Sequence, residues 1–214
     1  MIEDIIFSGN GLDYVNLGLP SGTLWSAKNV GASKPSDYGK YFQWGDTIGY
    51  TDREVGYDGG QTEFKWKNYK WNLGGDGKTF TKYENPGDKL ELEDDAAHVR
   101  IGDLWHIPTP EQIRELLDNT ISTWVTQDGV NGRLFTSKKD DSKSIFIPAA
   151  GFALNASVHN NGSNCYVWSS ILSPNDVDYG QILIFSSDDV YLSGNYRFYG
   201  HSVRGVIDKI QKNG

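Results

Sequence analysis

The sequence predicts an α+β fold, and three observations lead to this prediction. A strand-like segment stands near the start of the chain, two helix-like segments lie in the middle, and only strand-like segments follow the second helix. Segments rich in strands at both ends, with helices between them, favour an α+β domain.

The first strand and its return are predicted within the first thirty residues. Val15 and Leu17 alternate with Tyr14 and Asn16, a Pro20-Ser21-Gly22 turn follows, and Leu24-Trp25 is typical of a returning strand. Residues 33–39 hold a Pro early and a Gly late, which predicts one helical turn. The strand-like run at residues 41–44 follows that turn.

Residues 45–88 show neither a helical nor a strand period. They are rich in glycine and in aromatic residues, including Tyr50, Tyr57, Trp66, Tyr69 and Trp71. An irregular run of this length in a compact domain is usually either functional or packed by its own side chains. We expect the aromatic residues to pack against one another.

Two helices are predicted next. In the first, Leu92, Ala96 and Val99 form an apolar stripe, and the acidic residues 93–95 lie at the positive end of the helix. In the second, Thr109 caps a helix with Pro110 in its first turn and Gln112 completing a capping box. Its predicted apolar stripe contains Ile113, Leu116 and Leu117.

The remainder of the chain is predicted to be strands. Leu134-Phe135 and the apolar run 145–147 flank a polar stretch, residues 137–144, which predicts a hairpin with a long tip. Further strands are expected around residues 167–170 and 181–185, and a second hairpin at residues 186–193.

The totals bound the class of protein. At 214 residues, one domain is the default expectation. The formal net charge of -8, from 20 basic and 28 acidic residues, argues against a nucleic-acid partner, which would need clustered Lys and Arg. No segment approaches the roughly 20 apolar residues that cross a bilayer, and no secretion signal is visible. Cys165 is the single cysteine and is expected to be a small buried thiol.

The residues that carry common enzyme chemistry do not form a recognisable pattern. The four histidines are dispersed, and no nucleophile elbow or phosphate-binding glycine loop occurs. The acidic run Glu91, Glu93, Asp94 and Asp95 lacks the spacing of an EF-hand loop and is interpreted as the start of a helix. We therefore predict a protein that is not an enzyme and that has no metal and no cofactor.

The last third of the chain has the composition of a contact surface. Tyr supplies large contact area with few torsions to freeze, and Ser and Asn supply adaptable hydrogen bonds. The alternative is an ordinary surface, since the same residue types are common at turns and strand faces. The predicted ligand-binding residues are Asn175, Asp176, Asp178, Tyr179, Asp188, Asp189, Tyr191, Ser193, Asn195, Tyr196, Tyr199 and His201.

Several blocks, in order, resemble a known family. They begin with residues 15–25, Asn29-Val30-Gly31-Ala32 and residues 41–45, and continue with residues 94–97, 105–109 and 148–151. They end with Trp168-Ser169-Ser170 and with Gly200-His201-Ser202-Val203-Arg204. In this order the blocks resemble the Fibrobacter succinogenes major paralogous domain, a family abundant in Bacteroidetes and their phages. The resemblance covers residues 14–206 and leaves residues 1–13 as an N-terminal extension and residues 207–214 as a C-terminal tail.

The resemblance implies a C-type lectin-like fold. Such a fold has two short helices and a twisted antiparallel sheet whose first and last strands pair. It also implies a protein or glycan ligand on a cell surface, and display outside the cell on a bacterial surface or a phage particle.

The end of the chain is also similar to the variable region of ligand-binding proteins that are diversified by retroelements. In those proteins fixed positions form a scaffold, and the positions between them form the binding face. The scaffold positions here would be Trp168, Ser169, Ser170, Gly200, Ser202, Val203 and Arg204. Diversification of this chain is a hypothesis.

The chain departs from the family and its relatives in three ways. Gly205 stands where the family has Pro after Ser-Val-Arg. The triplets and disulfides of calcium-dependent lectins are missing, and so are the Cys or His clusters of the related oxygenases.

A fixed carbohydrate-binding module, with Trp66 and Trp71 stacking on sugars, is the alternative function, and a glycosidase is a third.

Overall fold

A computed structural model describes residues 14–57 and 62–209 of the chain. The predicted N-terminal extension and all but residues 207–209 of the predicted tail lie outside the described residues. No helix in the described part is long and apolar enough to cross a membrane.

The described residues form two helices and thirteen strands, so the α+β prediction is confirmed at this level. Three short 3-10 helices accompany them, at Trp66–Asn68, Leu73–Gly75 and Leu92–Asp94. The elements are β1 Tyr14–Val15, β2 Leu24–Ser26, β3 Tyr41–Phe42, α1 Ala96–Ile101, α2 Pro110–Asn119, β4 Thr120–Gln127, β5 Val130–Ser137, β6 Ser144–Pro148, β7 Phe152–Leu154, β8 Ser157–His159, β9 Cys165–Leu172, β10 Tyr179–Phe185, β11 Val190–Tyr196, β12 His201–Ser202 and β13 Val206–Ile207.

A five-stranded sheet organises the molecule. Its strand order is β11-β10-β9-β12-β3, and all its pairs are antiparallel except β12 with β9. Its central strand β9 is buried along most of its length. Cys165 begins this strand and is fully buried, which confirms the expectation for the single thiol. Burial raises the pKa of this thiol to about 12, so it stays protonated at neutral pH.

A small sheet joins the two ends of the described chain. Its order is β1-β2-β13, so the last strand pairs with β2 and not with β1. The expectation that the first and last strands pair is therefore wrong by one strand. Trp25 of β2 is fully buried and lies opposite Val206 of β13. Since β2 is the central strand of this sheet, Trp25 has a neighbouring strand on each side.

A second three-stranded sheet, β4-β5-β6, confirms the predicted hairpin at residues 137–144 and adds a strand that sequence analysis missed. That strand, β4, pairs with β5 across a two-residue turn. Asp128 and Gly129 form the turn, both with positive φ (52° and 80°), as a tight hairpin with a right-handed twist requires.

Helix α2 begins as predicted. Thr109 accepts the N–H of Gln112, and the Gln112 side chain accepts the N–H of Thr109, so the capping box is complete. Ile113 and Leu116 are fully buried and Leu117 is half-buried, which places the predicted stripe against the core.

Helix α1 differs from the prediction. Leu92 belongs to a separate 3-10 turn, and Leu92 and Val99 are 57% and 49% exposed, so they do not form the buried stripe. The helix begins only after Asp95, and it buries Ala96 as predicted together with Ala97 and Ile101. The break at Asp95 shifts the helical register relative to Leu92.

Residues 33–39 form a turn and not the predicted helical turn. The Asp37 carboxylate accepts the backbone N–H groups of Ser33 and Lys34, which closes the loop through a side chain. Aspartate and serine make such local bonds at the expense of helix.

Self-packing of the irregular segment is confirmed for most of its described aromatic residues but is wrong for Tyr57, which is 86% exposed. Tyr69, Trp71, Phe80 and Tyr83 are buried, and their rings meet edge to face, as in Trp71–Tyr83 at 5.0 Å. They join one core cluster with Trp44 and Trp168, so the segment covers one side of the five-stranded sheet.

The carboxylate of Asp95 ties the start of α1 to the segment before α2. One oxygen accepts the N–H groups of Ala97 and His98, and the other accepts that of Ile107. Asp95→Ala leaves three N–H groups without this acceptor, and we expect it to lower the free energy of unfolding by about 2–4 kcal/mol. Denaturant unfolding measures this loss. Asp103→Ala removes an exposed carboxylate nearby and should change stability little; equal losses for the two variants would contradict the capping role.

Candidate ligand-binding face

The predicted binding residues lie in three places. Asn175, Asp176 and Asp178 lie in the loop between β9 and β10, Asp188 and Asp189 in the β10–β11 turn, and the remainder on or after β10 and β11. Strand β10 spans seven residues, so the turn lies roughly 20 Å from Tyr179 at the other end of the strand. The structure therefore does not gather the predicted residues into one site.

One face of β11 carries Tyr191, Ser193 and Asn195, because alternate residues of a strand point to the same side. Tyr191 is opposite Ile184, and Ile184 is opposite Tyr166, so the three side chains form a row across β11, β10 and β9. Tyr191 is 49% exposed, and Ser193 is exposed as well. This row places the exposed Tyr191 and the half-buried Tyr166 on one face, with Ile184 between them.

A continuous set of half-buried aromatic rings shares Tyr166 with this row. Tyr179 stacks on Tyr196 with ring centroids 4.5 Å apart. Phe198 lies 4.6 Å from Trp66 and 4.7 Å from Tyr199. Phe152 extends the chain of ring contacts to Tyr199 and Tyr166. We call this set the aromatic strip: Trp66, Phe152, Tyr166, Tyr179, Tyr196, Phe198 and Tyr199.

The hydroxyl groups of Tyr166, Tyr179 and Tyr199 remain protonated at neutral pH. A hydrogen bond with the Tyr196 hydroxyl, and then burial, raises the pKa of Tyr179 to about 12. Burial raises the pKa of Tyr199 and of Tyr166 as well. These phenols can therefore donate and accept hydrogen bonds to a ligand, but they do not supply a base.

Arg197 lies beneath the strip and is fully buried. Its guanidinium donates to the Tyr69 hydroxyl and to the backbone carbonyls of Lys82, Tyr83 and Val177, at 2.8–3.1 Å. It also lies 4.2 Å from the centre of the Phe80 ring. Arg197 thus joins the irregular segment, the β9–β10 loop and the strip.

The seven predicted scaffold residues, Trp168, Ser169, Ser170, Gly200, Ser202, Val203 and Arg204, are all buried. The Trp168 indole donates to the Phe42 carbonyl at 2.7 Å, which ties β9 to β3. Arg204 donates to Asn29 and to the carbonyls of Ala27 and Phe146. Burial lowers the pKa of Arg204 to about 9.

His201 does not belong to the exposed face, contrary to the prediction. Strand β12 lies between β9 and β3, so the imidazole is fully buried and stacks on Tyr166 at 5.3 Å. Burial lowers its pKa to about 3. The sequence does not show where the turn after β11 ends and where β12 begins. His201 was therefore predicted to be exposed together with Tyr199.

The two tryptophans predicted to stack on sugars have different environments. Trp71 is buried against Tyr69 and Tyr83, so it cannot receive a ligand in this structure. Trp66 is half-buried and belongs to the aromatic strip. The structure therefore corrects the expectation for Trp71.

Lysines occupy the cluster of carboxylates before α1. Lys82 Nζ lies 2.6 Å from Glu91, 3.2 Å from Glu93 and 2.6 Å from Asp94, and Lys70 Nζ lies 2.7 Å from Asp94. These ion pairs account for the three acidic groups that come close enough to bind a cation. The prediction that the acidic run at residues 91–95 forms the start of a helix is confirmed for Asp95, which caps α1.

Four residues that the sequence did not predict also form or support the surface: Phe152, Tyr166, Phe198 and Arg197. Phe198 and Arg197 lie between tyrosines in the run 196–199, and an arginine inside an aromatic run is a signal that was available. Phe152 and Tyr166 lie far from that run in sequence, and only the strand pairing brings them to it.

No protein-family model, no curated protein and no solved structure matches the chain. The interpretation of this surface therefore depends on its geometry and its chemistry.

Arg197→Lys should destabilise the protein strongly. An ammonium cannot reproduce the four hydrogen bonds of the fork, and buried carbonyls would lose their donors, so we expect a loss of about 3 kcal/mol or more. Denaturant unfolding measures this loss. Arg114→Lys, at an exposed helix position, is the matched control and should be neutral; a neutral Arg197→Lys would show that the buried network is not required.

The stability should depend on pH through His201. Its folded pKa of about 3 lies below the ordinary value of 6.5, so below pH 6.5 the unfolded state binds a proton that the folded state does not. The stability contribution is complete above pH 6.5 and falls by up to about 1.4 kcal/mol per pH unit as the pH drops towards 3.

In His201→Gln this fall should be absent. The difference in unfolding free energy between wild type and variant, followed from pH 7.5 to 4.5, isolates the effect from the carboxylates. The exposed His159→Gln is the control. A difference that does not change with pH would contradict the assignment.

Proposed function

We propose that this protein is a non-enzymatic recognition module that binds a ligand through the aromatic strip and the adjoining face of β11. The observation that supports the proposal most is the continuity of the strip. Its seven half-buried rings form one unbroken series of ring contacts. Aromatic rings of this kind are the usual anchors of binding surfaces.

The strip is ordered before any ligand arrives. Ring contacts hold the side chains of Tyr196 and Tyr199, and the buried Arg197 between them anchors the backbone, so binding would immobilise few additional torsions. Tyr191, Ser193 and Asn195 beside it supply polar groups that select among ligands, because an unmatched polar group costs free energy. Rigid anchors with adaptable neighbours favour recognition over catalysis.

We also propose that the fold is C-type lectin-like and that the chain belongs to the Fibrobacter succinogenes major paralogous domain family. The small sheet that joins both ends of the described chain and the burial of the seven scaffold positions support this proposal. In the same proposal the protein is displayed on a bacterial surface or a phage particle. Retroelement diversification would change residues between the scaffold positions, which include Tyr179, Tyr196 and Tyr199 of the strip and the residues of β11.

The second candidate is a fixed carbohydrate-binding module. The position of Trp66 favours it, because this half-buried indole packs against Tyr196 and Phe198 of the strip and could stack on a sugar ring. A glycan array separates the candidates: loss of sugar binding in Trp66→Ala, with binding retained in Tyr191→Ala, would favour the fixed module.

Tyr191→Ala should reduce binding more than about tenfold with nearly unchanged melting temperature. Tyr191 is 49% exposed, so its removal costs the fold little. Binding is measured on a glycan array and on intact bacterial cells by flow cytometry. Tyr57→Ala, which removes a tyrosine that is 86% exposed elsewhere, is the matched control and should bind like wild type.

Tyr196→Ala should behave differently from Tyr191→Ala. Its ring contacts Tyr179, Trp66, Phe198 and Tyr199, so the substitution should lower stability by about 2 kcal/mol or more in addition to any effect on binding. Full binding by Tyr191→Ala and by Tyr196→Ala would overturn the proposed face.

A further inference from the structure

Strand β4, Thr120–Gln127, is an open edge. It is outermost in the β4-β5-β6 sheet, and among the described residues it pairs only with β5. The pairing runs over all eight residues without a register shift, so the edge is regular. Its outer side therefore presents backbone groups in the geometry of a sheet.

The tight turn identifies which groups point outward. In a two-residue hairpin the residues next to the turn, Gln127 and Val130, exchange both hydrogen bonds, and the pattern alternates from there. The outward N–H and C=O groups are therefore those of Ser122, Trp124 and Thr126. Within residues 14–57 and 62–209, the one hydrogen bond to them is a 3.4 Å approach of Arg133 Nη1 to the Ser122 carbonyl, which has a second lone pair.

The composition of β4 suits strand pairing. Its sequence, Thr-Ile-Ser-Thr-Trp-Val-Thr-Gln, holds no charge, proline or glycine, although the chain carries a net charge of -8. Ile121 is 59% exposed. Natural edges are usually protected by lysine, proline or a bulge, and β4 has none of these. The other long edge strand, β11, contains Gly194 and Asn195, which are weak strand formers.

We propose that β4 pairs antiparallel with β4 of a second copy of this chain, with the two-fold axis at Thr123. In this register Ser122 and Trp124 exchange backbone hydrogen bonds across the interface. Ile121 lies opposite Val125 of the second copy, and the reverse contact repeats it. Apolar β-branched residues thus face each other twice, and the two copies of Thr123 meet on the axis.

The charges at the ends of the strand suit a copy of the same chain. Asp128 lies 3.6 Å from Lys34 at one end, and Lys138 Nζ donates to the Asp118 carbonyl at the other. In an antiparallel pair, the end of β4 with Asp128 and Lys34 lies close to the end of the second copy with Asp118 and Lys138. In the proposed register Asp128 faces Asp118 of the second copy, and Lys34 and Lys138 beside them offset this like charge.

The dimer is expected to be weak and to leave the proposed binding face free. A single pair of edge strands buries less than the roughly 1,600 Å² of a standard interface. The aromatic strip and β11 belong to a different sheet, so this inference does not depend on the proposed function. If both hold, the dimer presents two faces and gains avidity on a multivalent surface.

The test is sedimentation velocity of the full chain over a concentration series. Wild type should shift from monomer to dimer as concentration rises. Thr123→Lys should abolish the shift, because it places two ammonium groups opposite each other on the axis, and Thr123 is exposed, so the monomer should fold normally. Ser193→Lys, with the same charge change at an exposed position on the β11 edge, is the matched control and should dimerise like wild type.

An equal mixture of Thr123→Lys and Thr123→Glu should form the dimer again, since opposite charges then meet on the axis. A wild type that stays monomeric, a Thr123→Lys protein that still dimerises, or a mixture that fails to recover the dimer would each overturn the proposal. Dimer loss in Ser193→Lys alone would place the interface on β11 and would also overturn it.

Discussion

The requirement that most constrains this structure is the satisfaction of a buried guanidinium. Arg197 is fully buried, and its hydrogen bonds go to three backbone carbonyls and the Tyr69 hydroxyl. A charge removed from water is tolerated only when such dipoles surround it. The irregular segment, the β9–β10 loop and the turn after β11 must therefore stay in place together, and the aromatic strip depends on all three.

Arg204 meets part of the same requirement elsewhere in the fold, because its two terminal nitrogens have acceptors while its Nε has none among the described residues. Its donors reach Asn29, Ala27 and Phe146, which belong to distant parts of the chain. The two arginines stand seven positions apart in the sequence and hold different segments of the chain in place. Hydrophobic packing supplies the core, while these two groups specify which loops close over it.

The sequence predicted the elements whose signals are local. The capping box of α2 and the β5–β6 hairpin depend on adjacent residues, and both were found. Helix α1 was misplaced because the Asp95 side chain binds Ile107, a contact outside the helix. Strand β4 was missed because its apolar and polar residues do not alternate cleanly. The tyrosines of the surface could be named, but their grouping with Phe152 and Trp66 depends on strand order and loop packing.

The acceptors around Arg197 have a consequence for sequence change. Three of the four are main-chain carbonyls, at Lys82, Tyr83 and Val177, and every amino acid carries that group. Side chains at exposed positions of these loops can therefore be exchanged while the bonds that hold the loops persist. The exposed side chains of these loops can therefore change during evolution while the backbone positions are kept. Such changes at the surface need no compensating substitution in the interior.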